Sequence, residues 1–113
     1  MSAADKRRLA GLHEVAQLVL DAHLADVRQI VRVRDESLAH LAELNRPFGE
    51  TDLHPIVAAE AEIRFQRWAD LRRAEVNQIL ARQTVQLEEA RTAAQIAFGR
   101  AGALAKLRDR FKI

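Results

Sequence analysis

The chain predicts an all-α fold, an antiparallel two-helix coiled-coil hairpin whose second helix is the longer. Three observations carry that expectation. A seam of Val76, Leu80, Gln83, Leu87, Ala90, Ala94, Ala97, Ala101 and Leu104 steps by 4,3,4,3,4,3,4,3, a sustained heptad repeat. The only proline-bearing stretch, Pro47 to Pro55, breaks the chain once. The residues before that break carry an apolar stripe of their own, so two helices can bury their stripes on each other.

Composition agrees. Of 113 residues, 49% are hydrophobic but only 4% are aromatic, with alanine and leucine dominating. Small side chains suit thin helix-on-helix seams better than a sandwich, a barrel or a catalytic cleft. The length fits a single domain, residues 1–113. With no cysteine there is neither a disulfide framework nor a thiolate metal site, which fits a reducing cytoplasm. The basic start followed by apolar residues looks superficially like a secretory signal. His13, Glu14 and Gln17 interrupt it, and no apolar run reaches the length of a membrane span.

The first helix is expected over about 3–44. Ser2 can cap its start, with Asp5 placed as in a capping box. Its stripe is Leu9, Leu12, Ala16, Leu20, Leu24, Val27, Val31, Leu38 and Leu41, and the 4,4,4 steps from Leu12 to Leu24 resemble a stutter. Arg34 falls where the stripe expects an apolar residue. Its stem packs and its head reaches out.

Residues 45–54 form the turn. Asn45 suits a left-handed helix end and Pro47 forbids continuation. Phe48 and Leu53 are expected to plug the hairpin end. The second helix, about 55–110, starts with Pro55 in its first turn and Thr51 or Asp52 as its cap.

Folding about residue 50 would make facing residue numbers add to roughly 100. Leu20 then faces Leu80, Leu24 faces Val76, Leu12 lies near Leu87 and Val31 near Trp68. Gln83 becomes a buried or half-buried polar residue near Ala16 or Gln17, of the kind that fixes register. In that register the second helix outruns the first, and the overhang keeps apolar spacing at Phe98, Ala101, Leu104, Leu107 and Phe111. An apolar stripe without an intramolecular partner marks a binding surface. The candidate partner-binding residues are Arg100, Leu104, Leu107, Arg108, Arg110 and Phe111.

Charge is uneven although the net is only +2. Residues 35–62 hold seven acids against Arg46 alone, whereas Lys6, Arg7 and Arg8 and then Arg100, Lys106, Arg108, Arg110 and Lys112 make the terminal segments basic. Such asymmetry orients a molecule against a charged partner.

Catalytic chemistry is hard to find. No phosphate loop, nucleophile elbow or zinc signature occurs. His13, His23, His40 and His54 do not share a turn, Glu36 and His40 have no counterpart on the second helix, and Glu88 and Glu89 point different ways. Neither enzyme, metal nor cofactor is expected. Arg64, Arg67, Arg72 and Arg73 surround Phe65 and Trp68, but sixteen acids nearly balance eighteen bases, which argues against nucleic acid as the partner. A solvated pair such as Asp70 with Arg73 explains much of that cluster.

The segment RWADLRRAEVNQILARQTVQLEEARTAAQIAFGRAGALAKL, with its Trp-x-x-x-Arg-Arg and Leu-Ala-Arg-Gln elements, resembles the C-terminal helix of FliJ/YscO-type proteins. These are stalk components of flagellar and type III export machines. The resemblance implies an antiparallel coiled coil with unequal helices, similar to the central stalk of rotary ATP synthases. It also implies a cytoplasmic adaptor that contacts a hexameric export ATPase and an export gate component. Two other functions stay open: a hairpin that dimerises into a four-helix bundle and binds nucleic acid, and peripheral membrane binding by the cationic amphipathic end.

Overall fold

The computed structural model describes residues 1–47, 49 and 52–111. It is all-helical, with α1 spanning Ala3–Leu44 and α2 spanning Pro55–Arg110, paired as a hairpin with the second helix longer. Both helices match the expected limits to the residue.

Their ends show why. Ser2 caps α1: its Oγ accepts from the Asp5 N–H at 3.1 Å, and its carbonyl accepts from the Lys6 N–H at 3.0 Å. At α2 the cap is His54, not Asp52. The His54 carbonyl accepts from the Ala58 N–H at 2.8 Å and its Nδ1 accepts from the Ile56 N–H at 3.2 Å. The residue directly before Pro55 is best placed to serve the first-turn donors, and its ring nitrogen substitutes for the hydroxyl or carboxylate usual there. Thr51 and the Phe48 plug lie outside the described residues, and Leu53 is exposed.

The chain comprises two compact units, residues 32–84 and residues 1–31 with 85–113. In the unit of residues 32–84, Leu44, Ala69 and Val76 form the buried core, with Leu41, Phe65 and Leu80 against it. The end of α1 is held from across the pair. Arg73 donates through Nη2 to the Leu44 carbonyl at 3.0 Å and through Nε to Asn45 Oδ1 at 2.8 Å, while its Nη1 pairs with Asp70. The last turn of α1 contains no basic residue, so this guanidinium supplies both the donor and the positive charge that a helix C-terminus favours. Asn45 is thus engaged through its side chain, and its N–H reaches Leu41 O and Ala42 O. Nearby, Arg34 is half-buried on the seam and its Nε donates to Thr84 Oγ1 at 3.3 Å, as its snorkelling position suggested. Gln83 is buried as expected, with Oε1 lacking a partner among the described residues.

In the other unit, Leu20, Ala97 and Ala101 are buried together with Ala16 against them. Facing numbers therefore add to about 117 in each unit, not to 100. Leu20 meets Ala97 and Ala101 instead of Leu80, Leu24 is not opposite Val76, and Trp68 is exposed beside Phe65, their ring centroids 6.0 Å apart. The physical reason lies in the connection. With α1 ending level with Arg73, it stops eighteen residues, or about 27 Å, along α2 from Pro55. Ten connecting residues can reach roughly 33–36 Å, so a tight turn about residue 50 is not required.

The stripe on α1 is corrected with it. Half-buried and buried positions include Leu9, His13, Ala16, Leu20, His23, Val27, Ile30, Arg34, Ser37, Leu41 and Leu44, a regular alternation of 4 and 3 with no stutter. Leu12, Leu24 and Leu38 are exposed because they lie off that repeat. The α2 seam from Val76 to Leu104 is buried or half-buried at every expected position. In α2 over 58–83 the covered positions recur at eleven residues (58, 69, 80 and 61, 72, 83), a spacing that matches a straight helix more closely than a heptad does.

Cysteines at Leu20 and Ala97 should form a disulfide within one chain, while a Leu20 and Leu80 pair should not, in a protein with no other thiol. Arg73→Ala should destabilise by about 1.5–3 kcal/mol through its lost charged hydrogen bonds. Arg91→Ala, which removes only an exposed pair with Glu88, should cost about 0.5 kcal/mol or less. Equal melting temperatures for the two variants would contradict the clamp.

Candidate partner-binding end

Residues 99–111 do not overhang. Ala101 is buried against Leu20, and Leu104, Arg108 and Phe111 are half-buried in the continuing seam, level with His13, Leu9 and Lys6 of α1. Helical geometry is kept to the end of α2, where the Phe111 N–H bonds to the Leu107 carbonyl at 3.0 Å. Arg100, Leu107 and Arg110 are exposed, and the Arg110 guanidinium lies 5.9 Å from the centre of the Phe111 ring. The six candidate residues are therefore divided. Three support the pairing with α1, and three face outward.

The same register concentrates charge. Lys6, Arg7 and Arg8 at the start of α1 lie level with Lys106, Arg108 and Arg110 at the end of α2, with Arg100 about two turns further in. Glu14, level with Ala103, dilutes them, as do Asp5 and Asp109. Their ion pairs with Arg8 and Arg108 are both 3.9 Å long, solvent-exposed and worth little. Arg7, Arg100, Lys106 and Arg110 pair with no acid among the described residues. Lys112 lies outside those residues. Arginines in the last turn of α2 also suit its helix dipole, so local stability and surface potential favour the same side chains.

Elsewhere, the arginine cluster on the early part of α2 is half neutralised. Arg72 pairs with Glu75 at 2.6 Å and Arg73 with Asp70, leaving Arg64 and Arg67 unpaired among the described residues. Sequence reasoning took Arg73 for one member of a solvated pair. Its role as the cap of α1 has no local signal, because it depends on register. His13 and His23 occupy seam positions that their polarity concealed. Among the described residues no group of three or more His, Asp or Glu side chains is placed to hold a metal ion, and no helix is long and apolar enough to cross a membrane.

Comparison with protein-family models, curated proteins and solved structures finds no match.

Gly99 and Gly102 sit inside α2 with open space where a Cβ would be. Alanine at either position should stabilise the protein by about 0.5–1 kcal/mol by restricting the unfolded chain. Unchanged or lowered melting temperatures for both variants would show that this part of α2 is not helical in solution.

Proposed function

We propose that the chain is a non-enzymatic coiled-coil adaptor that presents its basic terminal end to an acidic protein partner. The observation that carries this reading is the register, which brings the basic start of α1 beside the basic end of α2. Separately, each segment is modest. Together they make one dense positive surface on a packed, preorganised helix pair, which steers encounter with an acidic surface. Apolar side chains among the cations, Leu107 and the Phe111 ring, add the contact area that slows dissociation. A phosphate-tracking surface would not place Asp5 and Asp109 within it.

The resemblance to FliJ/YscO-type stalks gives the partner its specific form. In that form the adaptor works in the cytoplasm within a bacterial export apparatus, its basic end meets acidic loops of a hexameric export ATPase, and other surfaces meet an export gate component. The unequal two-helix hairpin supports this version.

The test is kinetic, on the full chain with a purified hexameric export ATPase. Arg7→Glu with Lys106→Glu should lower the association rate by roughly tenfold or more at low salt and flatten its salt dependence. Both side chains are off the tightest seam positions, so the helical circular dichroism should stay unchanged. Leu107→Ala should leave the association rate within about twofold and mainly speed dissociation. An association rate indifferent to the charge reversal would refute the assigned end.

A further inference from the structure

The unit of residues 1–31 and 85–113 carries a second stripe that its core does not use. Along α1, Leu12, Val15, Val19 and Ala22 step by 3,4,3, with Arg8 four residues before and Asp26 four after. Leu12 and Val15 are 58% and 57% exposed, and Val19 is exposed beside them. Along α2, Ala93, Ile96, Arg100, Ala103 and Leu107 continue the same rhythm, with Glu89 before and Arg110 after. Ile96 is 52% exposed.

Both stripes lie on one side of the helix pair. A shallow groove lined by Asp26, Gln29 and Ile30 of α1 and by Gln86, Glu89 and Ala90 of α2 marks that side. Stepping by sevens from Asp26 and Gln29 reaches Val19 and Leu12, then Ala22 and Val15. Stepping from Gln86 and Glu89 reaches Ala93 and Leu107, then Ile96. Positions seven apart share a helix face in a coiled coil.

We infer that this side packs on the same side of a second copy, running antiparallel, to form a four-helix bundle. The charge pattern selects the occupant and its direction. With α1 antiparallel to α1, Arg8 of each copy meets Asp26 of the other, Leu12 meets Ala22, and Val15 meets Val19. All three layers fall in one register, as alternating core positions of antiparallel helices require. On α2 the same register brings Ala93 level with Leu107 of the second copy and Ile96 with Ala103, while Glu89 comes level with Arg110 and Arg100 faces its counterpart. A parallel arrangement would stack one basic end on the other. Among the described residues Arg8 makes one ion pair, the 3.9 Å contact with Asp5, and Asp26 makes none. The area suffices. A face about 27 Å long and two helices wide buries on the order of 500 Å² per copy, near the lower bound of specific interfaces. It leaves Lys6, Arg7 and Lys106 outside the bundle, available to an acidic partner. Arg8, Arg100 and Leu107 enter the bundle, so the dimer and the partner contact draw on some of the same side chains.

Sedimentation velocity of the isolated full chain tests it. At about 100 µM the mass should be twice the 12.7 kDa of the chain. Val15→Glu should give the single-chain mass without loss of helicity, since Val15 is off the internal seam. Arg8→Asp and Asp26→Arg should each weaken the dimer by roughly fivefold to tenfold, and the two together should restore it to within about threefold. A single-chain mass at 100 µM, a Val15→Glu dimer as tight as the parent, or a double variant no better than the singles would each overturn the proposal. All are read without the export ATPase, so failure here is distinct from failure of the adaptor reading.

Discussion

The Arg73 guanidinium caps the end of α1 and marks its level on α2. Helix ends leave carbonyls without donors, and α1 closes without a basic residue of its own. Arg73, fixed by Asp70 on its own helix, meets the Leu44 carbonyl and the Asn45 side chain at once. Its planar fork of donors suits three acceptors in fixed directions, which a lysine in that position could not satisfy in the same way. A thin seam of alanine and leucine discriminates poorly between registers one or two heptads apart, since each heptad presents nearly the same surface. A directional polar contact is therefore what a seam of this composition needs. The offset it marks, about 117, recurs in the other unit, where Leu20 packs on Ala97 and Ala101.

From that offset the functional surface follows. Two basic segments that lie 92 residues apart in sequence, Lys6–Arg8 and Arg100–Arg110, become neighbours because the helices are antiparallel and their terminal ends come level. No overhang is needed to explain the apolar spacing of the last fifteen residues. Ala101, Leu104 and Phe111 belong to the seam, while Phe98 and Leu107 face away. The site is therefore a packed, charged helix pair, and its contacts are preorganised before any partner arrives.

How much of this was legible in the sequence differs between elements. The helix limits were, because Ser2 and Pro55 are positional signals that do not depend on tertiary structure. The α2 seam was too, since its apolar residues coincide with its heptad positions. The α1 seam was obscured. His13, His23, Arg34 and Ser37 sit on it, while Leu12, Leu24 and Leu38 sit off it, so choosing the most apolar residues mixed two stripes and created an apparent stutter. Spacing, not hydrophobicity, separates them. Register was the least legible property. It depends on a connection long enough to reach well past a tight turn and on an arginine whose partners lie on another helix. The basic, amphipathic character of the terminal end is local to the sequence, but its pairing with α1 depends on the offset and so is not.

The central claim is that the two basic ends lie side by side. Spin labels at Arg7 and Arg110 measure it directly by pulsed dipolar spectroscopy. Helices packed about 8–10 Å apart with these residues level predict a label separation near 20 Å. If facing numbers instead added to 100, Arg110 would lie about seventeen residues beyond the level of Arg7, moving the labels roughly 26 Å apart along the axis. A distance distribution centred near 20 Å supports the account, and one centred beyond about 30 Å contradicts it.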